Sequence, residues 1–116
     1  MLQKLGANYI LNSSDSDFDE RLKEMATKMD AKICFDAIGG EMTGRTLRCM
    51  PKNSTVYVYG ILDGPVVNKI DIKNFIYDNA TVKGFFLPNW LEGRGILKLL
   101  PTMYKLRKLL KSELKS

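Results

Sequence analysis

Short apolar runs alternating with helix-period segments constrain this chain more than any other feature of its sequence. Tyr9-Ile10-Leu11 runs into the polar cluster Asn12-Ser13-Ser14-Asp15, Ala31 to Ile38 is closed by Gly39-Gly40, and Thr55 to Tyr59 is stopped by Gly60. Each run is too short for a stable helix and is bounded by turn formers, so each predicts a strand. The second groups Ile33, Cys34 and Phe35 without clean alternation, the pattern of a strand covered on both faces. The third is β-branched and aromatic and is the clearest strand of all. Between the first two, Phe18, Leu22, Met25, Ala26 and Met29 recur at helical spacing, with Asp19, Glu20, Lys23 and Glu24 on the outer face. Ser16 stands where it could cap that helix, with Asp19 three residues on. Thr43 to Met50 predicts a second helix that offers Leu47 and Met50 to a sheet before Pro51 and Asn53 end it. Helical crossovers of this length join parallel strands, so the expected class is α/β with a mostly parallel sheet.

Beyond Gly60 the pattern loosens. Ile61 to Lys69, with Gly64-Pro65, reads as a loop, and Asp71 to Tyr77 as a short helix presenting Ile72, Phe75 and Ile76. Thr81 to Leu87 predicts a last strand carrying Val82, Phe85 and Phe86. From about Glu92 a helix carries Leu99, Leu100, Met103, Leu106 and Leu110 on one side, and Pro101 should kink or restart it. At the other end, Leu2 to Leu5 reads as a last helical turn with Gly6 as its cap.

Composition bounds what such a chain can do. With 116 residues and 45% hydrophobic side chains it is one domain or part of one, with enough apolar material for a core. No apolar run approaches a membrane span and the start is not a signal peptide, so an intracellular, soluble protein, cytoplasmic or mitochondrial, is expected. The net charge of +5 sits in the tail, where Arg94, Lys98, Lys105, Arg107, Lys108, Lys111 and Lys115 face only Glu113. That is the solvated face of an amphipathic helix, and no nucleic-acid signature accompanies it, so neither nucleic acid nor membrane is an expected partner. Histidine is absent, which removes a Ser-His-Asp triad and a Cys-His pair. Cys34 and Cys49 stand alone, without metal-ligand spacing, and read as small core hydrophobes. No catalytic and no metal-binding residue is expected.

The informative positions are the glycines. Asp36-Ala37-Ile38-Gly39-Gly40 and Tyr59-Gly60-Ile61-Leu62 each follow a predicted strand directly. In an open parallel sheet, ligands bind beyond the carboxyl ends of the strands, and glycine there lets a flat ring or sugar approach the backbone. Taken singly, either glycine is better explained by a tight turn, and it is the two at equivalent positions that favour binding.

Several segments together resemble the cofactor domain of the medium-chain dehydrogenase/reductase superfamily. Lys4-Leu5-Gly6-Ala7-Asn8-Tyr9-Ile10-Leu11-Asn12 is similar to the approach to its third strand, and Phe35-Asp36-Ala37-Ile38-Gly39-Gly40 to its fourth strand and turn. Ser54 to Gly60 is similar to the fifth, and Val82-Lys83-Gly84-Phe85-Phe86-Leu87 with Trp90 to the sixth. The last segment most resembles the zinc-independent branches, the quinone oxidoreductases and enoyl thioester reductases. The resemblance implies a partial Rossmann-like domain over residues 1–116, a sheet of about four strands with flanking helices, lacking the first two strands. It implies that the glycine-rich loop and a separate catalytic domain are absent from the chain. Cofactor contacts carried over from the family fall at Ala37, Ile38 and Gly39, at Gly60, Ile61 and Leu62, and at Phe85, Phe86 and Leu87. The complete enzyme would transfer hydride from NADP or NAD cofactor to a quinone or enoyl substrate, whereas no cofactor is firmly expected for this chain, which should be inactive. A homodimer through the strand around Phe85 is also implied. The alternative is a non-catalytic dimerising interaction module. In the strand order 3-2-1-4-5-6 the strand at Ile10 loses its neighbour, and it is expected to pair with the Cys34 strand or with another molecule.

Overall fold

The computed structural model describes residues 1–112. Glu113 and Lys115 of the basic tail lie outside the described residues. The chain divides into two compact units, one formed by residues 11–85 and the other by residues 1–10 with the segment from 86 onward.

In the 11–85 unit the order is helix α1 (Phe18–Lys28), strand β1 (Ile33–Asp36), helix α2 (Gly40–Cys49), strand β2 (Thr55–Val58), helix α3 (Ile72–Ile76) and strand β3 (Thr81–Gly84). The three strands form one parallel sheet in the order β1-β2-β3. Cys34 stands beside Val56, which stands beside Val82. This is the α/β arrangement that the alternation of runs predicts and the partial Rossmann-like domain that the resemblance implies. The sequence pattern places α1 and α2 within three residues of their ends, because both are amphipathic with small or polar residues on the outside.

The core lies where α2 crosses the sheet. Leu47 of α2 and Val56 of β2 are fully buried, and Phe18 and Ala26 of α1 close the far side of α2. Burying a side chain such as Leu47 contributes about 1.5–3 kcal/mol relative to leaving it in water. Arg45 fastens the two helices: it pairs with Asp19 at 2.8 Å and lies 4.9 Å over the Phe18 ring. The Cys49 thiol donates to the Asp19 carbonyl at 3.4 Å across the same seam.

Six expectations need correction. No strand forms at Tyr9-Ile10-Leu11. β1 pairs only with β2, so the segment does not pair with the Cys34 strand, and the sheet has three strands among the described residues. β1 is covered on one face: Cys34 and Asp36 turn toward α2, while Ile33 and Phe35 are 58% and 71% exposed. Within this unit α2 packs on β1 and β2 and α1 packs on α2, so the continuous apolar run does not imply two buried faces here. Asp17, not Ser16, caps α1, and it does so without a side-chain hydrogen bond. α3 forms, but Ile72, Phe75 and Ile76 stay exposed and Asn74 is the buried residue. Polar bonds orient that helix: the Asp71 carboxylate accepts from the Lys73 amide, and Asn74 donates to Asp78 at 3.2 Å.

The fifth correction concerns the end of the sheet. β3 stops at Gly84, although the Phe85 amide still donates to the Val58 carbonyl at 2.8 Å. Leu87 opens helix α4 (Leu87–Glu92), where Pro88 in the first turn sacrifices no helical hydrogen bond. In the same unit a short 3-10 helix (Leu2–Leu5) ends at Gly6 with φ 90°, the left-handed cap expected there. Helix α5 (Ile96–Ser112) passes through Pro101 without a break, and the restart lies instead at Gly93 to Gly95. None of the residues of α5 is buried. No helix of the described residues is long and apolar enough to cross a membrane.

Candidate functional site

The carboxyl ends of β1 and β2 carry two turns that are built around carboxylates. Asp36, the last residue of β1, is buried, and its carboxylate accepts three hydrogen bonds from its own chain. One oxygen accepts from the amides of Ile38 and Gly39 at 2.8 and 3.0 Å, and the other from the Thr43 hydroxyl at 2.5 Å. A buried carboxylate needs such donors, because desolvation without them costs several kcal/mol. The effect is to curl Ala37–Gly39 tightly onto the start of α2.

The second turn packs on the first. Asp63 donates its amide to the Ile38 carbonyl at 2.9 Å and accepts from the Glu41 amide at 3.1 Å. A methyl group at Gly60 would overlap the carbonyl of Ala37, and one at Gly39 would stand 2.9 Å from the carbonyl of Gly60. These two glycines are therefore required by each other's turn. Their missing side chains are filled by the chain itself rather than held open for a ligand.

Of the nine positions carried over from the resemblance, six converge here. Ala37, Ile38 and Gly39 lie against Gly60, Ile61 and Leu62. Ile61 and Leu62 are 74% and 79% exposed, and Ile38 is partly exposed, so the rim presents apolar side chains to solvent. An open cleft of about 390 Å³ beside it is lined by Ile38, Glu41, Met42, Arg45, Leu62 and Asp63. Phe85 hangs from the end of the sheet by its amide bond to Val58, whereas Phe86 and Leu87 belong to the other unit and are exposed. Asp36, Thr43 and Asp63 are absent from the sequence-based selection. A carboxylate closing an apolar run is a signal that could have marked Asp36, but nothing in the spacing marks Thr43 or Asp63.

The rim suits some ligand groups and not others. The amides of Ile38, Gly39 and Glu41 already serve carboxylates, and those carboxylates repel a phosphate. The side chains exposed on the rim are apolar instead. Burial pushes both thiols upward: that of Cys34 by desolvation and then by the charge of Asp36, that of Cys49 by desolvation and then mainly by Asp19. A protonated thiol is neither a good nucleophile nor a metal ligand.

A three-stranded parallel sheet with helices between its strands and paired turns at its strand ends is a partial Rossmann-like arrangement. Residues 1–102 match the family of zinc-binding dehydrogenases, and the chain belongs to that family. Solved structures are similar over most of the chain. A protein assigned as an NADPH:quinone reductase from Mesorhizobium loti is 24% identical, with 99% of this chain and 33% of that one covered at a TM-score of 0.82. One from Bacillus thuringiensis, assigned the same way, is 24% identical over 97% of this chain and 33% of that one, with a TM-score of 0.78. The mitochondrial 2-enoyl thioester reductase heterodimer of Candida tropicalis is 24% identical over 84% and 28%, with a TM-score of 0.69. This chain thus spans about a third of the length of the structures it resembles. No curated protein matches it in sequence. The family's description names zinc, and the residues present do not fit that ion: the chain has no histidine, and among the described residues no three potential ligands gather.

Proposed function

We propose that this chain is a segment of the cofactor domain of a nicotinamide-dependent reductase, and that it carries the rim on which the ring and ribose of NADPH or NADH lie. The complete enzyme would move hydride from that cofactor to a quinone or enoyl substrate. The observation that carries this reading is the convergence of Ala37–Gly39 and Gly60–Leu62 at the carboxyl ends of adjacent parallel strands. Membership of the dehydrogenase family and the likeness to reductases support it, one of them solved with NADP and crotonyl-CoA. When bound, the cofactor supplies the hydride. The residues of this chain that bind and orient it are those of the rim, where Ile38, Ile61 and Leu62 give an apolar bed.

By itself the chain turns nothing over. The rim donates no free amide from Ile38, Gly39 or Glu41 to a phosphate, and no group here is poised for proton transfer. The test is a spectrophotometric assay of NADPH oxidation with a quinone or a crotonyl thioester. Any turnover that survives repurification would defeat this part of the reading.

A dimerising module is the second reading, and the open edge of β3 favours it. Thr81 and Phe85 bond toward β2, so the main chain of Val82 and Gly84 faces away from the sheet and is free to pair. The same edge is the natural place for the homodimer expected around Phe85. Light scattering across a dilution series checks it, with a monomer at every concentration as the contrary result.

A further inference from the structure

We propose that Asp63 is the positioning residue of this rim, an acceptor clamp that fixes the turn after β2 against the start of α2 and so holds Ile61 and Leu62 in line with Ile38. Its use for a ligand rests on the cofactor reading above, whereas the clamp itself rests on geometry alone.

Three observations meet at this residue. Its main chain is tied to one turn by the amide bond to the Ile38 carbonyl at 2.9 Å. Its side chain is tied to the helix by the Glu41 amide at 3.1 Å, an amide at the first turn of α2 that has no partner within the helix. Gly40 makes room for both: its φ is 58°, and a Cβ there would come within 2.5–2.8 Å of the Asp63 side chain and carbonyl. The carboxylate also meets the positive end of the α2 dipole, which strengthens the bond. Next to it, Asn68 donates to the Gly40 carbonyl at 3.2 Å and Lys69 pairs with Glu41 at 2.8 Å, so the returning loop is sewn to the helix start on its other side.

The consequence is specific to the rim. Ile61 and Leu62 precede the clamp directly and are largely exposed, so no packing of their own holds them. Gly60 is held by Ala37 and Asp63 by Ile38 and Glu41, which leaves the two apolar residues on a short bridge with both ends fixed. Such pre-ordering lowers the entropy that a flat ligand would otherwise have to remove.

The experiment compares the full chain with Asp63→Asn and Asp63→Ala by amide hydrogen exchange and by amide chemical shifts during an NADH titration. Asparagine keeps an oxygen that can accept from Glu41, and alanine does not. Exchange at the Glu41 amide should rise about tenfold in Asp63→Ala, as loss of one hydrogen bond implies. It should stay within about threefold of the parent in Asp63→Asn, while Val56 and Leu47 remain protected in both. NADH should shift Ile61 and Leu62 in the parent and in Asp63→Asn, and less in Asp63→Ala. Unchanged exchange in Asp63→Ala, equal effects of both substitutions, or loss of protection at Val56 and Leu47 would each overturn the clamp. If the exchange pattern holds and NADH shifts nothing even in the parent, the clamp stands and the cofactor reading fails.

Discussion

At Gly60 an added methyl group would overlap the Ala37 carbonyl, and main chain cannot swing aside as a lysine tail can. Gly60→Ala is therefore expected to cost about 1–3 kcal/mol, the usual penalty for overpacking, read as a lower urea midpoint with an unchanged slope. Thr43 presents the complementary case. It is fully buried, and its hydroxyl is the only side-chain donor to Asp36 among the described residues. Thr43→Val keeps the shape but leaves that carboxylate short of a donor, so a loss of about 1.5–3 kcal/mol is expected in the same measurement. The thiols give a pH dependence. Both pKa values are raised above the ordinary 9.0, so burial as neutral thiols stabilises the fold fully below that pH. Stability should then decline as the pH rises above about 9, because the unfolded chain releases those protons first. A series of melts from pH 7 to pH 10.5 checks the sign, and a Cys49→Ser chain should show a shallower alkaline decline.

The elements differ in how openly the sequence declares them. β2 is legible because Thr55 to Tyr59 is β-branched and aromatic, and α2 because Leu47 and its polar neighbours keep a helical period. The strand end at Gly84 is not legible: Phe85 and Phe86 continue an apolar pattern, and only Pro88 tells of the helix that follows. Ile72, Phe75 and Ile76 mislead for a related reason, since a five-residue helix is oriented by its polar bonds before its apolar side chains can choose a face. At the site, the glycines announce where the turns are. They say nothing of Asp63, whose role comes from its carboxylate meeting the Glu41 amide across 22 residues of sequence. The open edge of β3 yields a prediction at this scale. The main chain of Gly84 faces outward, with nothing within 4 Å of where a side chain would begin, so Gly84→Pro should spare the sheet and abolish any pairing through this edge. Light scattering that shows the same oligomer in both forms would remove β3 from the interface.

For the molecule as a whole, the 11–85 unit joins a buried core under one face of the sheet to a rim of exposed apolar residues at the strand ends. Its opposite face shows Ile33 and Phe35, with Phe35 and Tyr57 stacked at 5.8 Å. The order of the runs reveals the parallel sheet and the position of the rim, because periodicity and turn chemistry are local. What the runs do not reveal is that the amides of Ile38, Gly39 and Glu41 are already engaged, since that depends on how two turns meet in space. In the proposed reading the rim offers a bed for the uncharged part of a dinucleotide and little for its phosphates. Calorimetric titration of the chain with NADPH and NADH tests it most directly. Dissociation constants of about 1 mM or weaker are expected for both, equivalent to no more than about 4 kcal/mol of binding free energy. Micromolar binding of either dinucleotide would contradict it.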